Sequence, residues 1–298
     1  MTVGDSSVHS RRPATILGPD RSLRKPKVKF PVGACDCHAH VFGSQDEYPY
    51  AGHAAYIAEY LPVDAYISML RSIGCTRAVL VQPSVYGTDN RCLLDAMAAG
   101  KFDFRGVVVV DPKVSDAELL ELHAAGVRGI RINAASHTPG LRMEHARELA
   151  HRIERLGWHL QFFINITADS AAADEILRLP VPCVIDHFGH VRAEKGIHSP
   201  EFQALLELAH HDHVWFKLSG GYRVSHLLPP FADVAPLAQA LMGVAADRCV
   251  FGTDWPHPNV GRVDNDADLA DALAEWVQDE TLLHKVLVEN PARLYQFD

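Results

Sequence analysis

The chain has 298 residues, of which 48% are hydrophobic and 22% are charged, and this composition predicts a folded protein with a substantial core. Its formal charge of -9 at pH 7 argues against nucleic acid as the main partner. No run of 18 apolar residues is present, which argues against a membrane partner, and the six cysteines lack the spacing of a disulfide framework. A reducing cytoplasm is therefore the expected location.

Residues 1–30 differ from the rest of the chain in charge. They carry seven basic residues against two acidic ones, a net charge of +5, and they lack the apolar run of a secretory signal. The sequence predicts an N-terminal arm over residues 1–30, either disordered or contacting another subunit of a homo-oligomer. A single domain is predicted over residues 31–298.

From residue 33 onward, strand-like runs alternate with helical patterns. The eight predicted strands are 34–41, 77–83, 104–111, 127–133, 158–165, 182–188, 214–219 and 249–255. Among the helices, Asp64 is a predicted N-cap, Ser115 and Glu118 form a capping box, and Ser199 precedes a proline at the first helical position.

This alternation predicts parallel strands joined by right-handed helical crossovers. Eight such units close most simply as a (β/α)8 TIM barrel in the α/β class. The alternative is an open doubly wound sheet, for which a glycine-rich turn after an early strand is typical. No G-x-G-x-x-G follows the first predicted strand, so the barrel is favoured.

A pair of histidines ends the first predicted strand. His38 and His40 are two residues apart, and side chains on a strand alternate, so both rings project to the same side. The carboxyl ends of barrel strands form the mouth where barrel enzymes place their active sites. Two imidazoles there can bind a divalent metal, donate hydrogen bonds or carry protons. The alternative is that they only flank a loop.

Two later strands end in residues of the same kind. His187 closes the sixth strand as an inward-facing candidate, whereas His190 is expected on a solvated loop. Asp254 closes the eighth strand within Gly-Thr-Asp-Trp-Pro. Alone, Asp254 is equally well a turn aspartate, but the three elements together indicate a catalytic centre.

With these motifs, the chain resembles the lactonase branch of the amidohydrolase superfamily, which includes 2-pyrone-4,6-dicarboxylate lactonase. The resemblance covers nearly all of the chain after residue 30. It implies that Asp254 is the general base for water and that His38, His40 and His187 polarise the scissile carbonyl. It also implies that no metal is required, although the same four residues could hold one divalent ion such as zinc. No lysine or glutamate is evident as a bridge between two metals.

The resemblance also points to four substrate-binding residues, namely Tyr56, Ser84, Arg131 and Arg223. Arginine suits this task because its planar guanidinium meets a carboxylate with two hydrogen bonds. Two positions depart from the dicarboxylate lactonase: His137 stands where that enzyme has a second arginine, and Phe163 where it has a tyrosine. These departures put the dicarboxylate substrate itself in doubt.

The sequence thus predicts a hydrolase that opens a small anionic lactone, in the catabolism of aromatic compounds or sugar acids. The alternatives are a zinc-dependent decarboxylase of the same superfamily, a lactone isomerase and a barrel that only binds its ligand.

Overall fold

The computed structural model describes residues 14–52, 54–133, 141–166 and 170–298. Within them, eight parallel strands form one sheet whose spatial order follows the chain. The strands are β1 (Cys35–Ala39), β2 (Arg77–Val81), β3 (Asp103–Val108), β4 (Val127–Asn133), β5 (His159–Phe163), β6 (Cys183–Ile185), β7 (Val214–Ser219) and β8 (Cys249–Gly252).

The sheet closes on itself between β1 and β8. Ala39 and Trp255 form a parallel bridge, and the backbone N–H of His40 donates to the Trp255 carbonyl at 2.8 Å. The N–H of Asp254 in turn donates to the His38 carbonyl at 2.8 Å. The predicted (β/α)8 barrel is therefore confirmed, and its seam runs directly beside the motif residues of both strands.

Helices follow the strands, and most of them pack around the outside of the barrel. They are α1 (Val63–Ile73), α2 (Arg91–Ala98), α3 (Asp116–Ala124), α4 (Met143–Ile153), α5 (Ser170–Ile176), α6 (Pro200–Leu208), α7 (Gly221–Val224), α8 (Ala235–Ala245), α9 (Asp266–Val277), α10 (Glu280–His284) and α11 (Asn290–Tyr295). The side chains of Ser115 and Ser199 accept backbone N–H groups at the starts of α3 and α6, as predicted. Helix α1 begins after Pro62, and Asp64 lies in its first turn instead of capping it.

Alternate strand residues face the barrel interior and the helices. Val79 and Val81 belong to a buried interior cluster, whereas Ala78 and Leu80 pack in the layer beneath the helices. The interior cluster includes Tyr295 near the C-terminus, whose ring packs on His159 at the start of β5. The amino ends of the strands are thereby covered, which leaves the carboxyl ends for polar side chains.

Residues 14–30 lie along the barrel. Strand Ala14–Thr15 pairs in parallel with Tyr56–Ile57, and the N–H of Val28 donates to Asp271 of α9 at 2.9 Å. The division into an arm and a barrel domain at residue 30 stays a prediction. In the part of the chain that the structure describes, no helix is long and apolar enough to span a membrane.

Candidate active site

The motif histidines and Asp254 meet at the carboxyl ends of the strands. The Nε2 atoms of His38 and His40 lie 3.7 and 3.5 Å from Oδ1 of Asp254, and Nε2 of His187 lies 3.9 Å from its Oδ2. All four side chains are buried. The structure therefore brings together the four residues that the sequence predicts as a centre.

A turn after β6 places His187 in this centre, and the sequence does not predict that turn. Strand β6 ends at Ile185, three residues before the predicted end, and residues His187–His190 form a short helical turn. His187 and Phe188 have φ values of 50° and 53°. A non-glycine residue in this left-handed region is strained by roughly 1–3 kcal/mol, so the surrounding packing must hold the turn.

Thr253, the residue before Asp254, is held by a second carboxylate, Asp36. The backbone N–H and the hydroxyl of Thr253 donate to Asp36 at 2.9 and 2.5 Å, and the Tyr66 hydroxyl donates to it at 2.9 Å. Burial raises the pKa of Asp36 to about 6, against the effect of these hydrogen bonds. Asp36 therefore links β1 to Thr253. The next residue, Asp254, has a φ of 62°, a strained conformation that this link helps to hold.

The two oxygens of Asp254 have different surroundings. Oδ2 accepts the Tyr222 hydroxyl at 2.7 Å and the Arg223 Nε–H at 2.6 Å. Oδ1 faces His38 and His40 and has no hydrogen-bond partner among the described residues. Burial opposes ionisation of Asp254, but the Arg223 guanidinium holds its pKa well below the usual range. The carboxylate is thus charged, with one oxygen available.

The histidine rings are neutral at pH 7. Burial lowers the pKa of His38 to about 3, with a contribution from the nearby Lys217 charge, and burial also lowers that of His40. His40 Nδ1 lies 2.7 Å from the Val81 carbonyl oxygen, which can only accept, so this nitrogen carries the ring hydrogen. Its Nε2 therefore presents a lone pair to the site. His187 Nδ1 pairs with the Ser219 hydroxyl at 2.9 Å.

Sequence reasoning missed a buried charged network beneath His38. Lys217 lies 3.2 Å from His38 Nδ1 and donates to Gln161 Oε1 at 2.7 Å, and Gln161 donates to Asp186 at 3.0 Å. Burial raises the pKa of Asp186, but the Lys217 charge outweighs it and the net direction is well downward. A lysine in the middle of a predicted strand was the available signal, because lysine is almost never fully buried without a partner.

The predicted substrate-binding residues border the same centre. Tyr56 is buried, and Ser84 begins a short helical turn after β2. Arg131 donates to the Gln82 carbonyl at 3.0 Å, and its guanidinium lies 5.3 Å from the centre of the Phe163 ring. Their role in binding substrate stays a prediction.

Two predictions concern side chains around this centre. His190 is half-buried, because its Nδ1 pairs with the Ile164 carbonyl at 3.1 Å and its ring packs edge-on against Phe163 at 4.5 Å. It is therefore not the solvated loop histidine that the sequence predicts. His137 lies outside the described residues.

In position, the centre fits a single divalent metal. Ligand atoms held about 2 Å from a zinc ion in tetrahedral geometry lie roughly 3.3 Å apart. His38 Nε2 and His40 Nε2 lie 3.7 and 3.5 Å from Asp254 Oδ1, close to that spacing, and neither His38 Nε2 nor Asp254 Oδ1 has a hydrogen-bond partner among the described residues. His38, Asp186 and His187 form a second such group.

Known proteins resemble this chain in sequence along nearly its whole length. The family profile described as Amidohydrolase matches residues 35–297. A 4-sulfomuconolactone hydrolase from Hydrogenophaga intermedia is 34% identical over 94% of each chain. A 2-pyrone-4,6-dicarboxylate hydrolase from Comamonas testosteroni is 37% identical and covers 91% of this chain and 92% of its own. A D-galactarolactone isomerase from Agrobacterium fabrum is 30% identical, over 91% and 94%.

Proposed function

Because this chain belongs to the amidohydrolase family, we propose that it is a lactonase that hydrolyses the ring ester of a small anionic lactone. The observation that carries the proposal is the Asp254 carboxylate, buried and ionised, with Oδ1 directed at His38 and His40. The names of two hydrolase relatives support the substrate class, since one acts on a sulfonated lactone and the other on a pyrone dicarboxylate.

In the proposed mechanism, Asp254 takes a proton from water, and the water oxygen attacks the lactone carbonyl carbon. His38 and His187, whose Nε2 atoms can carry a hydrogen, stabilise the negative charge that develops on the carbonyl oxygen, whereas His40 presents a lone pair and cannot. The bond from this carbon to the ring oxygen then breaks, and the ring oxygen leaves as a hydroxyl with the proton that Asp254 collected. The products are a carboxylic acid and an alcohol or enol on one open chain.

The anion of the substrate is assigned to Arg131 and Arg223. Arg131 stands at the end of β4, where its guanidinium faces the Phe163 ring. Phe163 supplies no hydroxyl, so an acid group beside it depends on Arg131 for its hydrogen bonds. Arg223 pairs with Asp254, and an incoming anion would compete for the same guanidinium.

A metal is not required in this proposal. If one binds, His38, His40, His187 and Asp254 would hold it, and it would supply Lewis-acid polarisation of the carbonyl and a lower pKa for water. We expect protein dialysed against a chelator, with its zinc content measured, to keep most of its activity. Loss of activity that stoichiometric zinc restores would contradict this prediction.

The function can be tested by adding carboxylated and sulfonated lactones to purified protein with a pH indicator. Each hydrolysis releases one proton from the new acid, so acidification that depends on enzyme is the expected result. The isomerase relative makes lactone rearrangement the second candidate, and it consumes substrate without releasing acid. If no lactone derived from aromatic compounds or sugar acids either causes acidification or is consumed, both candidate functions are contradicted.

The role of Arg223 yields a pH prediction. Asp254 must be ionised to accept a proton, and the Arg223 charge holds its pKa well below the usual range. Arg223→Met should therefore shift the acidic limb of the kcat/KM profile to higher pH. Loss of the anion contact should also lower kcat/KM by about 10–100-fold, as expected for one charge-assisted hydrogen bond.

The matched control is Arg262→Met, because Arg262 pairs with Asp264 outside this centre and should leave both quantities unchanged. An acidic limb that stays in place in Arg223→Met would show that this arginine does not set the ionisation of Asp254.

A further inference from the structure

Beneath His38, on the side of the ring away from Asp254, three polar side chains are fully buried: Gln161, Asp186 and Lys217. They come from β5, the end of β6 and β7. The Lys217 ammonium donates to Gln161 Oε1 at 2.7 Å, and the Gln161 amide group donates to Asp186 Oδ2 at 3.0 Å. The Lys217 Nζ also lies 3.4 Å from Asp186 Oδ1, so a carboxylate compensates the buried lysine charge.

The ring nitrogen His38 Nδ1 has two polar neighbours, one that can only donate a hydrogen bond to it and one that can only accept from it. Lys217 Nζ lies 3.2 Å away within hydrogen-bond geometry, and an ammonium can only donate. Asp186 Oδ1 lies 3.3 Å away and can only accept, yet it has no hydrogen-bond partner among the described residues. His38 Nδ1 therefore accepts from Lys217, and a neutral ring then carries its hydrogen on Nε2.

His40 has the opposite tautomer. Its Nδ1 donates to the Val81 carbonyl, which leaves a lone pair on Nε2. The Nε2 atoms of both histidines point at Asp254 Oδ1, at 3.7 and 3.5 Å. The two histidines of the pair thus offer a hydrogen-bond donor and an acceptor at one place.

We propose that Lys217 is a positioning residue that holds His38 with its hydrogen on Nε2, so that His38 donates to the substrate carbonyl oxygen while His40 and Asp254 accept from the attacking water. The assignment of His38 to the substrate carbonyl and of His40 to the attacking water rests on the proposed function. The tautomer of His38 does not, because it follows from contacts between residues of the protein itself.

The same contact affects metal binding. A neutral histidine binds a metal through its unprotonated nitrogen, and metal-bound histidines commonly donate their other N–H to a carboxylate or carbonyl. Lys217 blocks this arrangement at His38, whereas Asp186 would support it. Without Lys217, His38 Nδ1 can donate to Asp186, and Nε2 becomes free to bind zinc.

The first test is the tautomer of His38 in the intact protein. Protein labelled with nitrogen-15 in its histidines is examined by long-range proton–nitrogen NMR, and the His38 signals are assigned by their loss in His38→Gln. We expect the pattern of a neutral ring protonated at Nε2. A ring protonated at Nδ1 would overturn the proposal.

The second test is zinc affinity, measured by titration of metal-free protein. Lys217→Met should bind zinc about 10-fold more tightly than the wild type, which is the lower end of typical effects around metal ligands. The control is Lys101→Met, because Lys101 is an exposed partner of Asp64 and should leave the affinity unchanged. Equal affinity of wild type and Lys217→Met would overturn the proposal.

Neither test requires a lactone. A protein that hydrolyses no lactone but has His38 protonated at Nε2 contradicts the proposed function and leaves this inference standing. A lactonase with His38 protonated at Nδ1 contradicts this inference and leaves the proposed function standing. If Lys217→Met does not fold, the spectrum of the wild type decides.

Discussion

Replacing Asp254 by asparagine is expected to lower kcat for lactone hydrolysis by about 10³-fold, within the range for loss of a general base. The amide cannot accept a proton from water, and it leaves the Arg223 guanidinium without its charged partner. Steady-state rates on the best lactone of the screen measure the effect. Lactone binding, measured separately, should survive because the arginines remain.

Asp212→Asn is the control for this prediction, because the Asp212 side chain is fully exposed beside Arg248, which lies just before β8 at the amino end of the barrel. It should leave kcat unchanged. An Asp254→Asn variant that retains a tenth or more of wild-type kcat would exclude Asp254 as the general base. Loss of both lactone binding and turnover would instead indicate that the carboxyl end of the barrel is misfolded in this variant.

The largest effect on stability is expected from Lys217→Met. Removal of one partner of a buried ion pair leaves the other charge uncompensated, which typically costs about 3–5 kcal/mol. Lys217 and Asp186 are both fully buried, so the free energy of unfolding from urea titrations should fall by that amount. Lys101→Met, which alters an exposed pair, should change it little.

A double variant separates charge from packing. In Lys217→Met/Asp186→Asn both charges are removed, and the asparagine oxygen can still accept from Gln161, as Asp186 does. The double variant should therefore lose less stability than Lys217→Met alone, a coupling expected of residues in contact. Additive losses would show that Lys217 contributes by packing and not by compensating Asp186.

The pairing of Arg223 with Asp254 bears on how the enzyme begins a turnover. A carboxylate whose pKa is strongly lowered is a weak base, and the Arg223 Nε–H is its nearest charged donor at 2.6 Å. A substrate anion that draws the guanidinium away would raise the basicity of Asp254 when the water is in place. The pH profile of Arg223→Met measures this link.

Several features of the fold and site followed from local sequence. The alternation of strands with capped helices was enough for the barrel, since each cap and each strand period depends on near neighbours. The shared direction of His38 and His40 needed only the two-residue strand repeat. Asp254 and His187 were found because the carboxyl ends of parallel strands meet at one mouth.

Only the tertiary structure decided which groups meet around these residues. His38 and Lys217 are 179 positions apart in the chain, and their contact depends on how the barrel closes between β1 and β8. The pairing of Arg223 with Asp254 likewise depends on a turn in which Asp254 takes a left-handed conformation. Side-chain direction along one strand is set by local geometry, whereas charge state and tautomer are set by distant neighbours. The histidine pair could therefore be located from the sequence, but its division into a donor and an acceptor could not.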